Sequence, residues 1–173
     1  MKNLFLIGFI YLLASCNSQK EEFQEAFHYP IKSYFNSEVL KLKEKNSTVL
    51  KTITHNDVSE SKELKIEDWE KEFALFLESD INKTSWKNGY TKDSTSNKIT
   101  YKAIEEGLRT KFIEIDLIDH KPVKFKITNS VKNYLYSSQE NLEYIPDSIY
   151  TIQKTQKTVI LGENKYKIEG KFK

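Results

Sequence analysis

The chain carries a single cysteine, Cys16, in 173 residues. With no second thiol, no disulfide can staple it. Glycine is also scarce: past Gly8, in the apolar run near the start, Gly89, Gly107, Gly162 and Gly170 stand far apart. No glycine-rich loop is therefore present to cradle a phosphate. His28, His55 and His120 are the only histidines. None has a second histidine or cysteine at ligand spacing, so they read as surface or turn residues and not as metal ligands or bases. No serine sits in a nucleophile elbow. Nor does charge of one sign prevail, since 27 Lys and Arg face 25 Asp and Glu along an alternating chain. That balance leaves no basic face for nucleic acid. There is no internal repeat and no low-complexity block.

What is present begins with one apolar run. Residues 4–14, LFLIGFIYLLA, follow the short positive start Met1-Lys2-Asn3. Eleven apolar residues match a secretory h-region and fall well short of the ~20 needed to span a bilayer. Leu13-Ala14-Ser15-Cys16 comes next, and this quartet resembles the lipobox of the bacterial lipoprotein signal. The resemblance implies that the Cys16 thiol receives a diacylglyceryl group, that the chain is cut before Cys16, and that the new amino terminus is acylated. Each acyl methylene buried in lipid contributes ~0.8 kcal/mol, so several chains make the attachment effectively permanent. Lys20-Glu21-Glu22, close behind, is similar to the surface-export signal of Bacteroidota-type outer-membrane lipoproteins; read without that resemblance it is a solvated linker. The expected address is the outer membrane, lipid-anchored, facing the periplasm or the cell surface.

Three segments follow from this reading: residues 1–15 as signal peptide, 16–29 as lipidated cysteine and tether, and 30–173 as one α+β domain. If flexible, the tether reaches ~20 Å on average. Phe23 and Phe27, spaced i, i+4, could instead dock as a helical turn.

Within the domain, Ile31, Tyr34, Phe35, Val39 and Leu42 recur at three- and four-residue steps behind Pro30 and predict a helix ending near Asn46. STVLKTITH and VSESKELKI flank Asn56-Asp57 as a hairpin. A second helix is expected from Glu67, with Trp69, Phe73, Phe76, Leu77 and Ile81 as its apolar stripe and Asn82 as a left-handed stop. Residues 83–97 read as a loop with Trp86 and Tyr90 tucked inward. From Lys98 the period becomes two, through Ile99, Tyr101 and Ala103, then Ile113, Ile115 and Leu117, then Val123, Phe125 and Ile127. Later strands are expected at 133–136, 142–145, 148–153, 158–161 and 165–173, separated by SSQEN, Pro146-Asp147 and Gly162-Glu163-Asn164. The expected architecture is α+β: two helices packed on a curved antiparallel β-meander of six or seven strands, with an N-terminal hairpin. The stripe of the second helix should cover Val123, Phe125 and Ile127.

Chemistry-bearing constellations are few. Glu105-Glu106, or Glu114 with Asp116, supply paired carboxylates, but lysines such as Lys124 and Lys126 on a neighbouring strand would make this a solvated face. Asp80-Ile81-Asn82-Lys83 reads as capping and turn chemistry. Tyr134, Tyr136 and Tyr144 would edge a cavity if they served a ligand. The expectation is a non-enzymatic binding or structural domain without cofactor or metal, whose partner is an envelope protein, a glycan or an apolar ligand. Two alternatives stand beside it. One is a half-barrel carrier of a lipid-like ligand, which needs an unfilled apolar pocket of roughly 300 Å³. The other is a hydrolase using exposed carboxylates, which needs two of them in a cleft with shifted titration.

Overall fold

The computed structural model describes residues 26–160 and 162–173. Cys16, Lys20, Glu21, Glu22 and Phe23 lie outside the described residues, as does Leu161.

Helix α1, Ile31–Lys45, forms where the three- and four-residue spacing requires it, and its stripe Ile31, Phe35, Val39 and Leu42 is buried. Pro30 offers no side-chain cap at its start. Asp80, 48 residues away, accepts from the Lys32 N–H at 3.2 Å instead. Asn46 ends the helix in the left-handed conformation, with Lys43 and Lys45 in the last turn beside the negative end of the dipole.

Strands β1, Thr48–His55, and β2, Val58–Lys65, make the expected hairpin, with Asn56 left-handed at the turn. The second helix is shorter than its stripe predicts. It divides at Phe73 into α2, Trp69–Glu72, and α3, Ala74–Leu77. Asp68 caps it by accepting from the Lys71 N–H at 3.0 Å. It stops because Ser79 donates its hydroxyl to the Leu75 carbonyl at 2.6 Å and Asp80 accepts from the Asn82 N–H at 3.2 Å. These local bonds compete with the next helical turn. Asn82 is not among the residues with positive φ, so it is no left-handed stop.

Seven strands complete the chain: β3, Tyr90–Ser94; β4, Lys98–Ala103; β5, Thr110–Ile118; β6, Lys121–Lys132; β7, Tyr136–Ile145; β8, Ile149–Thr158; and β9, Gly162–Phe172. They follow one another as a meander, and β1 pairs beside β9. The N-terminal hairpin thereby joins the same sheet, which is one open antiparallel sheet of nine strands. Strand β3 occupies a segment expected to be loop. It is an edge strand with only Tyr90 buried, and so shows no apolar alternation. SSQEN is not a loop either but lies mostly in the first half of β7, where Ser138 and Glu140 point inward. The last turn falls before Gly162, which already pairs with Thr158.

Phe35 stacks on Phe76 at 4.7 Å, and Phe73 meets Tyr144 and Tyr150 edge-on at 5.5 and 5.4 Å. The stripe of α2–α3 therefore lies over β7 and β8. The expected floor is covered differently, because Phe125 on β6 meets Tyr34 and Phe35 of α1. Gly170 is fixed by this packing: a Cβ there would lie 2.1 Å from the Tyr150 ring. Phe73→Ala, which opens a cavity among five aromatic neighbours, should cost ~3 to 5 kcal/mol of the ~5 to 15 typical for a domain. Urea unfolding should show a lower midpoint at unchanged slope.

Candidate binding surface

Residues paired across antiparallel strands share a face, so the helix-covered face can be followed beyond the helices. Tyr150, under Phe73, is level with Gly170; Ile168 and Tyr166 follow on β9, and Ile53 and His55 on β1. One buried and one half-buried carboxylate mark the covered part. Glu38 of α1 accepts from the Tyr144 hydroxyl. Glu72 accepts from the Tyr150 hydroxyl at 2.6 Å and pairs with Lys51 at 2.6 Å. Burial first, and the neighbouring carboxylates second, push both phenols far up, so they remain neutral donors.

Farther along the same face the inward positions turn polar. Glu140 pairs with Arg109 at 2.7 Å and Lys154 at 3.2 Å, and Asn129 donates to the Ser79 hydroxyl at 2.9 Å. This belt stands where helix cover ends. Val131 beyond it, Tyr166 level with Lys154, and Ile53 on β1 are partly exposed, with the His55 ring stacked on Tyr166 at 4.5 Å.

At the β2 side of the covered region lies an open groove of about 480 Å³. Leu64, Ile66, Leu75, Ile152 and Ile168 form its walls, and Lys71, Glu67 and Asp68 stand at its rim. Leu75 is the signal the sequence offered, an apolar residue off the stripe of Trp69, Phe73 and Phe76. Chemically the groove suits an apolar body with one polar end. Glu72 beside it is engaged by Lys51 and Tyr150 and is no free base.

The other sequence candidates do not converge here. Glu114 and Asp116 share the opposite face, where Lys98 reaches them at 3.1 and 3.4 Å and Lys126 reaches Glu114 at 3.3 Å. Partial burial alone would raise the Glu114 carboxyl, but the hydrogen bonds from Lys98 and Lys126 outweigh it and hold the group below its ordinary value. Lys124 pairs with Glu143. Tyr144 is core, Tyr136 accepts from Gln156 at 3.1 Å, and Tyr134 is exposed at a turn, so these three edge no common cavity. Trp86 and Tyr90 do tuck inward, Tyr90 donating to the Thr110 carbonyl at 3.0 Å. His120 sits in the β5–β6 turn and His55 on the sheet, as surface and turn residues.

His28 departs from that expectation. Its ring lies edge-on to Tyr101 and Tyr90 at 5.3 and 5.8 Å, and both ring nitrogens are buried without a hydrogen-bond partner. Asn82 holds the segment, accepting from the His28 N–H at 2.9 Å and donating to the Tyr29 carbonyl at 3.1 Å. The Asp80-to-Lys83 quartet is thus the clasp by which the domain grips the chain leading into α1.

Comparison of the chain with protein-family models, with curated proteins and with solved structures returns no match.

Burial pushes His28 below its ordinary value of 6.5, and the backbone groups of Trp86 and Lys87 offset only part of this. Between the depressed value and 6.5 the unfolded chain holds a proton that the folded chain does not, so stability should rise with pH through that window. His28→Phe should flatten this slope, which urea midpoints measured between about pH 5 and about pH 8 will reveal.

Proposed function

We propose that the chain is a lipid-anchored envelope lipoprotein, held in the outer membrane through acyl groups on Cys16, whose domain is a non-enzymatic binding module. The anchor rests on Leu13-Ala14-Ser15-Cys16 behind an eleven-residue apolar run. Among the described residues no helix is long and apolar enough to cross a membrane. The twist of an antiparallel sheet curls it round α1 and α2–α3, making the helix-covered face the inner one.

The observation that carries the binding reading is the groove beside α2–α3. At about 480 Å³ with largely apolar walls, it has the size and lining of a small-molecule site. Its occupant is an amphipathic ligand, with an apolar body against Leu64, Leu75 and Ile168 and a polar end at Lys71. A carrier enclosing its ligand between sheet and helices is the weaker alternative, because Phe35, Phe73, Phe76, Tyr144 and Tyr150 fill that space. The hydrolase alternative loses its best pair, since Glu114 and Asp116 lie half-buried on the face opposite the helices and are bound by lysines.

Cys16→Ser should abolish incorporation of a fatty-acid probe in labelled cells; label persisting in the variant would overturn the anchor. Leu75→Gln keeps a good helix former at a half-buried position. It should weaken binding of a fluorescent fatty acid roughly tenfold or more, the loss of one apolar contact of about 1.5 to 3 kcal/mol. Titration by fluorescence reads this, and an unchanged affinity would move the ligand out of the groove.

A further inference from the structure

Most of the large apolar side chains left exposed among the described residues gather toward one end of the sheet. Leu40 on α1 and Ile118 beside the β5–β6 turn are the exceptions. The crowded end is where β6 meets β7 and β8 meets β9. The turns of these neighbouring hairpins carry Tyr134-Leu135 and Val159-Ile160. Tyr134 is fully exposed, Ile160 is 90% exposed, and Leu135 and Val159 are each 73% exposed.

The two turns form one unit. Val159 donates its N–H to the Leu135 carbonyl at 3.3 Å, and β7 pairs with β8 along its whole length. Asn133 holds the first turn by accepting from the N–H groups of Leu135 and Tyr136 at 3.0 and 2.9 Å. Lys132 and Lys157 flank the pair, and neither is joined to a carboxylate among the described residues. The segment leading into the domain docks at this same end: His28 packs on Tyr90, the first residue of β3, and Ile104, just past β4, donates to Gly89 at 2.9 Å.

We propose that these twin turns dip into the interface of an anionic lipid bilayer and give the domain a second membrane contact. The proposal takes the nearness of a bilayer from the lipid-anchored reading; the contact itself rests on the turns. Four side chains on two turns fall far short of the ~20 residues a side of a stable protein interface. They match interfacial insertion, with an amphipathic tyrosine at headgroup level and unpaired lysines against anionic headgroups. A weak contact suffices, because only eleven residues, 17–27, separate Cys16 from the docked His28, and an anchor that close keeps the turns at roughly millimolar effective concentration near the bilayer.

The test uses Ile160→Trp in the full chain, mixed with phosphatidylglycerol–phosphatidylcholine vesicles bearing brominated acyl chains. The new tryptophan should be quenched well beyond Trp69 and Trp86 of the parent chain. Quenching should fall several-fold on phosphatidylcholine alone or when Leu135→Asp is added, while the urea midpoint stays put. Ile160→Trp in a Cys16→Ser chain, with and without Leu135→Asp and titrated to about millimolar lipid, reads the turns without the anchor. Quenching there sustains the contact even if the parent chain proves unlipidated. A tryptophan that stays unquenched on vesicles carrying the bound chain overturns it. So does a blue shift that follows protein concentration without lipid, which assigns the turns to a second copy of the chain.

Discussion

Nine strands present more apolar face than the helices can cover. Strands of ten to twelve residues, as β6 to β9 are, extend ~33 to 40 Å at ~3.3 Å per residue, and nine of them spread ~38 Å across. Helix α1 is about 22 Å long and ~10 Å wide, and α2–α3 is barely half that length. Cover is therefore confined to one part of the sheet. The aromatic core, the buried carboxylates, the groove and the exposed end all take their places from that shortfall.

Where cover ends, the sequence changes chemistry along single strands. On β7, Tyr144 and Leu142 lie under the helices, and Glu140 and Ser138 continue the same face beyond them. An inward carboxylate is tolerable there only with partners, and Arg109 and Lys154 provide them. Lys51 does the same for Glu72 beside the groove. Removing such a partner leaves a buried charge unpaired, which costs more than the pair itself contributes. The polar belt thus separates a dry core from a surface open to other molecules.

The same change of chemistry decided what could be read from the sequence. Helix α1 and β4, β5 and β6 carry periodic apolar residues, and periodicity located them, whereas the β1–β2 hairpin was legible from Asn56-Asp57 at its turn. SSQEN resembled a loop because its inward positions, Ser138 and Glu140, lie beyond helix cover and are polar. Strand β3 was hidden because an edge strand buries little, in this case Tyr90 alone. The aromatic stripe from Trp69 was legible, but not that Phe73 would face Tyr144 and Tyr150, since pairing across a helix–sheet interface leaves no local signal. For the site the asymmetry is greater. Leu75 is apolar and off its stripe, a signal that a reading of the stripe alone passes over, whereas Leu64, Ile152 and Ile168 come together from β2, β8 and β9 through tertiary register.

The two ends of the sheet differ in their turns, and folding alone does not require the difference. At one end the chain reverses through Thr95-Ser96-Asn97, Asp119-His120 and Pro146-Asp147, with Asp119, His120 and Asp147 left-handed, as short polar residues in tight turns tend to be. At the other, besides the polar Asn56-Asp57 turn, it reverses through Asn133-Tyr134-Leu135 and Val159-Ile160, where Asn133 supplies the turn's hydrogen bonds and the apolar residues contribute none from their side chains. Exposed as they are, those side chains add almost nothing to the stability of the fold, since apolar surface stabilises only when removed from water. An apolar residue that a turn does not need and a core does not use is explained by a contact outside the chain. Such residues are common singly on protein surfaces, but four on two hydrogen-bonded neighbouring turns form a patch. The open sheet that leaves the groove accessible also projects these turns past β5, whose first residue, Thr110, pairs with Asn129, three residues short of the end of β6. One shortfall of cover therefore shapes both surfaces.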